Sequence, residues 1–159
     1  MSVNSSSRHL TPGGSSTVAA GAIGDVQYKG NDGNLAGDTK FKVDVTNSSL
    51  NLDGLLLSTL QGPTTLLDNQ VAQTLTLIPY SYKWIVVEYS LLRDGHTQLG
   101  RLLIVNNNTT AIISDDFVQT GSLGVSFTVD IVATDVRLKY TTTSTSFNAS
   151  FKYILRRWQ

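Results

Sequence analysis

The chain contains no cysteine, which excludes disulfides, thiolate catalysis and cysteine-bound zinc. Charge is also scarce, at 15% of the residues against the usual quarter. The 12 lysines and arginines balance the 12 aspartates and glutamates. The chain therefore lacks the net field that attracts phosphate backbones or anionic lipid, and nucleic acid is not an expected partner. No apolar run is long enough to span a bilayer, so membrane insertion is not expected. Residues 1–24 have neither a basic start nor a hydrophobic centre, and no secretory signal is expected. Without secretion, the Asn-x-Ser/Thr sequons at Asn4, Asn47, Asn107, Asn108 and Asn148 follow from composition alone. Helical periodicity of useful length is missing throughout.

Period-two alternation is abundant instead. It runs over Val125, Phe127, Val129 and Ile131, then over Val136, Leu138 and Tyr140, then over Phe147, Ala149, Phe151, Tyr153 and Leu155. Such a pattern buries one face of each strand and wets the other. The segment Tyr82 to Leu92 is apolar on both parities, so it belongs in the middle of a sandwich or under a subunit interface. It ends at Asp94-Gly95, a strong two-residue hairpin signal. That turn pairs residues whose numbers sum to 189, placing Glu88 opposite Arg101 as an expected ion pair and Tyr89 over Gly100. The Phe127 and Tyr140 strands should pair with a sum of 267. A further hairpin is expected to join Tyr140 to Phe147.

Three zones follow from these patterns. Residues 1–22 are a Ser/Gly/Thr-rich arm that cannot bury enough apolar area to fold alone. Its order must come from an outside surface, and Leu10, Pro12, Val18 and Ile23 are its candidate docking anchors. Residues 23–79 carry short alternating stretches split by glycine, a shaft or connector. Phe41, Val43, Leu50, Leu52, Leu55 and Leu57 have too few partners within one chain there, so they are expected to meet other copies. An irregular loop is the equal alternative for this zone. Residues 80–159 form the head. The fold expected is all-β: an antiparallel, jelly-roll-like β-sandwich head after an extended N-terminal arm and short shaft-like strands. A head of this size buries only a modest core, which also favours oligomers.

No catalytic set emerges, and no enzyme activity or cofactor is expected. His9 lies in the arm and His96 beside a turn, and no nucleophile elbow supports a triad of His96, Asp94 and a serine. Asp115 and Asp116 are neighbours, so in a strand they face opposite sides. In a loop they could join Asp32, Asp38 or Asp94 around calcium. Ordinary turns explain those residues better, and no metal site is assigned. Arg137 and Lys139 share one strand face, Lys152 and Arg156 another, as on the wet side of edge strands. Trp84, Trp158, Tyr80, Tyr89 and Tyr153 could form a sugar-binding face, but most sit at inward parity and are expected in the core.

Two stretches carry a resemblance. The segment GAIGDVQYKGNDGNLAGDTKFKVDVTNSSLNLDG, residues 21–54, is similar to a strand-turn unit of tailed-bacteriophage fibre and appendage proteins. Residues 106–158, from NNNTTAIISDD to FNASFKYILRRW, resemble a carboxy-terminal β domain of phage virion proteins. The resemblance implies a non-enzymatic virion component. It implies a homotrimer docked by its N-terminal arm onto other virion proteins, presenting the head outward, with host-surface glycan as an outer contact. Long fibres carry this unit after hundreds of residues, whereas this chain starts at its own Met1, so a small appendage, collar component, head fibre or capsid decoration is expected as much as a long tail fibre. A free carbohydrate-binding module is the alternative from another class.

Overall fold

A computed structural model of the chain describes residues 25–29, 35–44, 49–53, 55–58 and 60–159. They form twelve strands and, among the described residues, no helix: β1 (Asp25–Lys29), β2 (Leu35–Asp44), β3 (Ser49–Leu52), β4 (Leu55–Ser58), β5 (Gln61–Leu66), β6 (Gln73–Pro79), β7 (Trp84–Arg93), β8 (His96–Asn106), β9 (Ala111–Gln119), β10 (Val125–Val132), β11 (Asp135–Thr142) and β12 (Ala149–Trp158). All pairings are antiparallel. The large sheet has the order β1-β2-β3-β4-β12-β7-β8-β9, with β5 also on β12. The small sheet has the order β10-β11-β6.

The two sheets pack face to face through the residues that alternation marks as inward. Ile85, Val87, Tyr89 and Leu91 of β7, Leu102 and Ile104 of β8, and Phe151 and Leu155 of β12 meet Ile78, Phe127, Val136, Leu138 and Tyr140 of the small sheet. Aromatic rings mark the contact. Phe127 lies 5.3 Å from Tyr89, edge on, and 5.6 Å from Phe151. Such ring pairs contribute roughly 0.5–1.5 kcal/mol each beyond their burial.

The hairpin registers follow from turn chemistry. Asp94 and Gly95 both have positive φ, at 49° and 74°, the backbone of a type I′ turn. Trp84 consequently pairs with Val105, Glu88 with Arg101 and Tyr89 with Gly100, the sum of 189 read from the sequence. A Cβ on Gly100 would lie 2.7 Å from the Tyr89 ring, so Tyr89 does cover it. The β10–β11 register is likewise 267, with Phe127 opposite Tyr140 and Ile131 opposite Val136.

Four expectations are corrected. β11 and β12 do not form a hairpin, because β6 takes the edge of β11 and β7 takes β12. The segment 143–148 crosses between sheets instead. Phe147 accordingly stands outside β12 and is 49% exposed. The head begins earlier than residue 80: β5 and β6 belong to the sandwich, and Leu66 and Ile78 are fully buried in its core. The loop alternative for Asp115 and Asp116 does not hold, because β9 runs unbroken from Ala111 to Gln119 and carries both. Finally, β2, β3 and β4 pair within the chain as a meander. The ten residues of β12 are more than β5 covers, so β4 occupies the far end of the same edge.

Three of the four sheet-to-sheet crossings, residues 67–72, 120–124 and 143–148, lie at one end of the sandwich, and Arg93 gathers them. Its side chain is 1% exposed. Nε donates to the Phe147 carbonyl at 2.9 Å. One terminal nitrogen donates to the carbonyls of Leu123 at 2.7 Å and Gly124 at 3.4 Å. The other donates to the Thr143 carbonyl at 2.7 Å and to the Asp68 carboxylate. Asp68 in turn accepts the backbone N–H groups of Thr145 at 2.9 Å and Ser146 at 3.1 Å. A guanidinium carries five N–H donors in a rigid fork, and here each has an acceptor.

The Thr145 N–H chiefly holds the Asp68 carboxyl below its ordinary pKa; the Ser146 N–H and Arg93 add to this and burial opposes it. A lowered folded pKa gives stability that is present above about pH 4 and lost as pH falls through the folded value. Arg93→Met is expected to cost about 3–5 kcal/mol, as for breaking a buried pair from one side. Arg137→Met, which removes a bidentate but part-exposed partner of Asp130, should cost far less, because solvent screens an exposed pair. Chemical denaturation of the two variants checks the contrast. Asp68→Asn should melt with a shallower loss of Tm below about pH 4 than the parent chain.

Candidate functional site: the outer face of the large sheet

The side of β7 turned away from the core is the least expected surface of the protein. Trp84 is 54% exposed and Leu92 51%. Trp84 is therefore not a core residue, whereas Tyr89 is buried and Tyr153 packs against the core. Residues directly paired across an antiparallel ladder share a face, so the register extends this side strand by strand. Trp84 stands beside Trp158 and Val105, and Val105 beside Ile112. The next row is Arg156, Val86, Leu103 and Ser114. Below it run Ile154, Glu88, Arg101 and Asp116, then Lys152, Ser90, Leu99 and Val118.

The candidate inter-copy residues lie on this same face. Arg156 pairs with Leu57, Leu57 with Leu50, and Leu50 with Val43. Phe41 pairs with Leu52, and Leu52 with Leu55. All six therefore project on the side of Arg156 and Val86. Val43 is 46% exposed, and the other five remain at least partly open. The four docking anchors Leu10, Pro12, Val18 and Ile23 lie outside the described residues, as does Asp32.

Charges on the face are paired within it. Glu88 does not bond Arg101, although the two are directly opposite. Arg156 donates to Glu88, and Arg101 bonds Asp116 at 3.0 Å. Each cation thus reaches an acid on a neighbouring strand, and the expected Glu88–Arg101 pair is replaced by two flanking ones. The region around Leu99 is concave. A hollow of about 550 Å³ is lined by Leu92, Leu99, Val118, Thr120 and Lys152 among others.

The opposite side of β9 holds a second polar group. Asp115 and Asp116 do face opposite ways, as alternation requires. Asp115 turns in and accepts a hydrogen bond from the Tyr89 hydroxyl at 2.7 Å, and that hydroxyl accepts one from the Gln98 side-chain amide at 2.6 Å. Burial pushes the Asp115 carboxyl up, the neighbouring Asp116 adds to this, and the Tyr89 bond opposes it. Burial, then the Asp115 contact, likewise raises the Tyr89 phenol. These partners complete Tyr89 as a core residue that keeps its polar end satisfied. Asp94 sits in the exposed hairpin turn, apart from Asp115 and Asp116 on β9, so these three candidate calcium carboxylates are not brought together. Among the described residues no three His, Cys, Asp or Glu side chains cluster as metal ligands. His96 is exposed and stacks its ring against Gly121.

Arg93 and Asp68, the most heavily bonded side chains, have no signal in the sequence beyond lying at strand ends. No protein-family model matches the chain, and neither does any curated protein or solved structure.

Because the folded pKa of Asp115 is raised, its contribution to stability is present below about pH 4 and lost as pH rises through the folded value. Asp115→Asn keeps an acceptor for Tyr89 without the charge. Its Tm should equal or exceed that of the parent chain at pH 7, and the difference should vanish near pH 3 in a thermal-melt series.

Proposed function

We propose that the protein is a non-enzymatic structural subunit of a tailed-phage virion, a small homotrimeric appendage of tail-fibre, head-fibre or capsid-decoration type. The observation that carries this reading is the apolar outer face spanning the meander and the head sheet. A monomer that works alone has no use for a face of this extent, whereas an assembled subunit covers it. The sequence resemblance of residues 21–54 and 106–158 to phage appendage proteins supplies the setting. The polar arm, residues 1–22, suits attachment to a groove or sheet edge on another virion protein, because extended backbone can add to such an edge. The head then faces outward, where host-surface glycan is the contact in reach.

Light scattering of the purified chain at micromolar concentration should give three times the 17.2 kDa protomer mass. Deleting residues 2–20 should leave the head folded and oligomeric while abolishing incorporation into particles, as read by immunoblot of purified virions. A stable monomer that binds immobilised glycan would replace this reading with a free carbohydrate-binding module. Normal incorporation of the truncated chain would move the attachment into the head.

A further inference from the structure

We infer that the outer face of the head sheet, on β7, β8 and β9, is the principal contact between copies of this chain, its occupants being the same face of the two other copies, turned toward a shared three-fold axis. The inference rests on the oligomeric reading above and assigns that reading a surface. The short strands of residues 41–57 then form only the margin of a contact whose centre lies in the head.

Extent is the first argument. Trp84, Leu92, Leu99, Leu103, Val105, Ile112 and Val118 are between 41% and 71% exposed. In two bands, each within the roughly 300–600 Å² of the largest patch on a typical monomer, they leave on the order of 700 Å² of exposed residue surface together. That is near the ~800 Å² each partner contributes to a stable interface. The rigid ladder holds these side chains in place, so little ordering cost remains to be met on association.

Charge is the second argument, and it selects the occupant. The face carries two apolar bands, Trp84, Val86, Leu103, Val105 and Ile112 on one side, Leu92, Leu99 and Val118 on the other. Between them runs the row of Glu88, Arg101 and Asp116. Two cations and two acids lie in this region, Arg156 with Glu88 and Arg101 with Asp116, and each is already paired. A buried charge is tolerated only when paired. This face can therefore be covered by an equally neutral, equally apolar surface without stranding an ion. A polyanionic or strongly basic partner would gain nothing from it. The remaining cation, Lys152, is exposed at the rim beside Ser90 and Ser150, where polar residues normally surround an interface.

The test uses the full chain. Leu99→Glu and Val105→Glu each place an unpaired acid in one of the two bands, at positions 65% and 47% exposed. Light scattering with far-UV circular dichroism should show folded monomers of 17.2 kDa, or at least a hundredfold weaker association. Val71→Glu, at a loop position 76% exposed and off the face, should keep the parent's mass. Acrylamide quenching of the unsubstituted chain supplies a readout that needs no variant. Tryptophan emission should be shielded in the oligomer and should become quenchable on dilution to the monomer. An oligomer indifferent to both face substitutions, or one whose tryptophans stay freely quenchable, overturns this inference and leaves the oligomeric reading standing. A parent chain that is monomeric at micromolar concentration overturns both.

Discussion

The sandwich depends on one buried cation. Its two sheets are joined by four crossings, three of them at the same end, and these loops are made largely of Thr, Ser, Asn and Gly with little apolar material to bury. Arg93 replaces a hydrophobic plug there. Its guanidinium spends every donor on a loop carbonyl or on Asp68, and Asp68 spends its oxygens on the backbone of the last crossing. A buried ion pair is weak evidence for net stability, because desolvation offsets the attraction. Its clearer contribution is specificity: three loops have one arrangement in which their carbonyls reach the same fork. Thr142 repeats the device beside it, donating to the Leu67 carbonyl and accepting from the Gln70 N–H.

That closed end frees the rest of the molecule to be a surface. With β5, β6 and the crossings held, the core between the sheets is filled from one face of β7, β8 and β12 alone. Among the described residues, the other face of those strands has no second layer. The meander β2-β3-β4 widens this uncovered side rather than covering it, since its Leu50, Leu52, Leu55 and Leu57 lie on the same side as Val86 and Leu103. Of the two apolar parities of β7, one fills the core and the other lies on the open face. In the proposed assembly the ion pairs in the middle of that face would act as register marks, neutral overall yet directional.

Local chemistry was legible wherever a short-range rule decides the outcome. The Asp94-Gly95 turn admits one register, and alternation over Phe127 to Tyr140 admits one parity, so both hairpins could be read from the chain. The opposed directions of Asp115 and Asp116 follow from the same rule. The Tyr140–Phe147 hairpin failed because two adjacent alternating strands pair or part according to which other edge is free, and β6 competes for the edge of β11. The Glu88–Arg101 pair failed because Arg101 has a second acid directly opposite it, Asp116 on β9, and Arg156 reaches Glu88 diagonally from 68 residues away. Trp84 lies outward because it shares the parity of Val86 and Glu88, while the other parity of β7, Ile85, Val87 and Tyr89, fills the core.

By itself the sequence determined the class of fold and the parity of its strands, because side-chain alternation is a property of the extended backbone. It also determined the absence of thiol chemistry and the zero net charge of the chain, because these are matters of composition. Only the tertiary structure decided which strands share a sheet and where the head begins. It alone decided that Arg93 lies buried and that Trp84, Leu103, Val105 and Leu57 form one face. Those outcomes depend on long-range competition for strand edges and for hydrogen-bond acceptors, and no residue carries in its own identity the address of a partner fifty positions away.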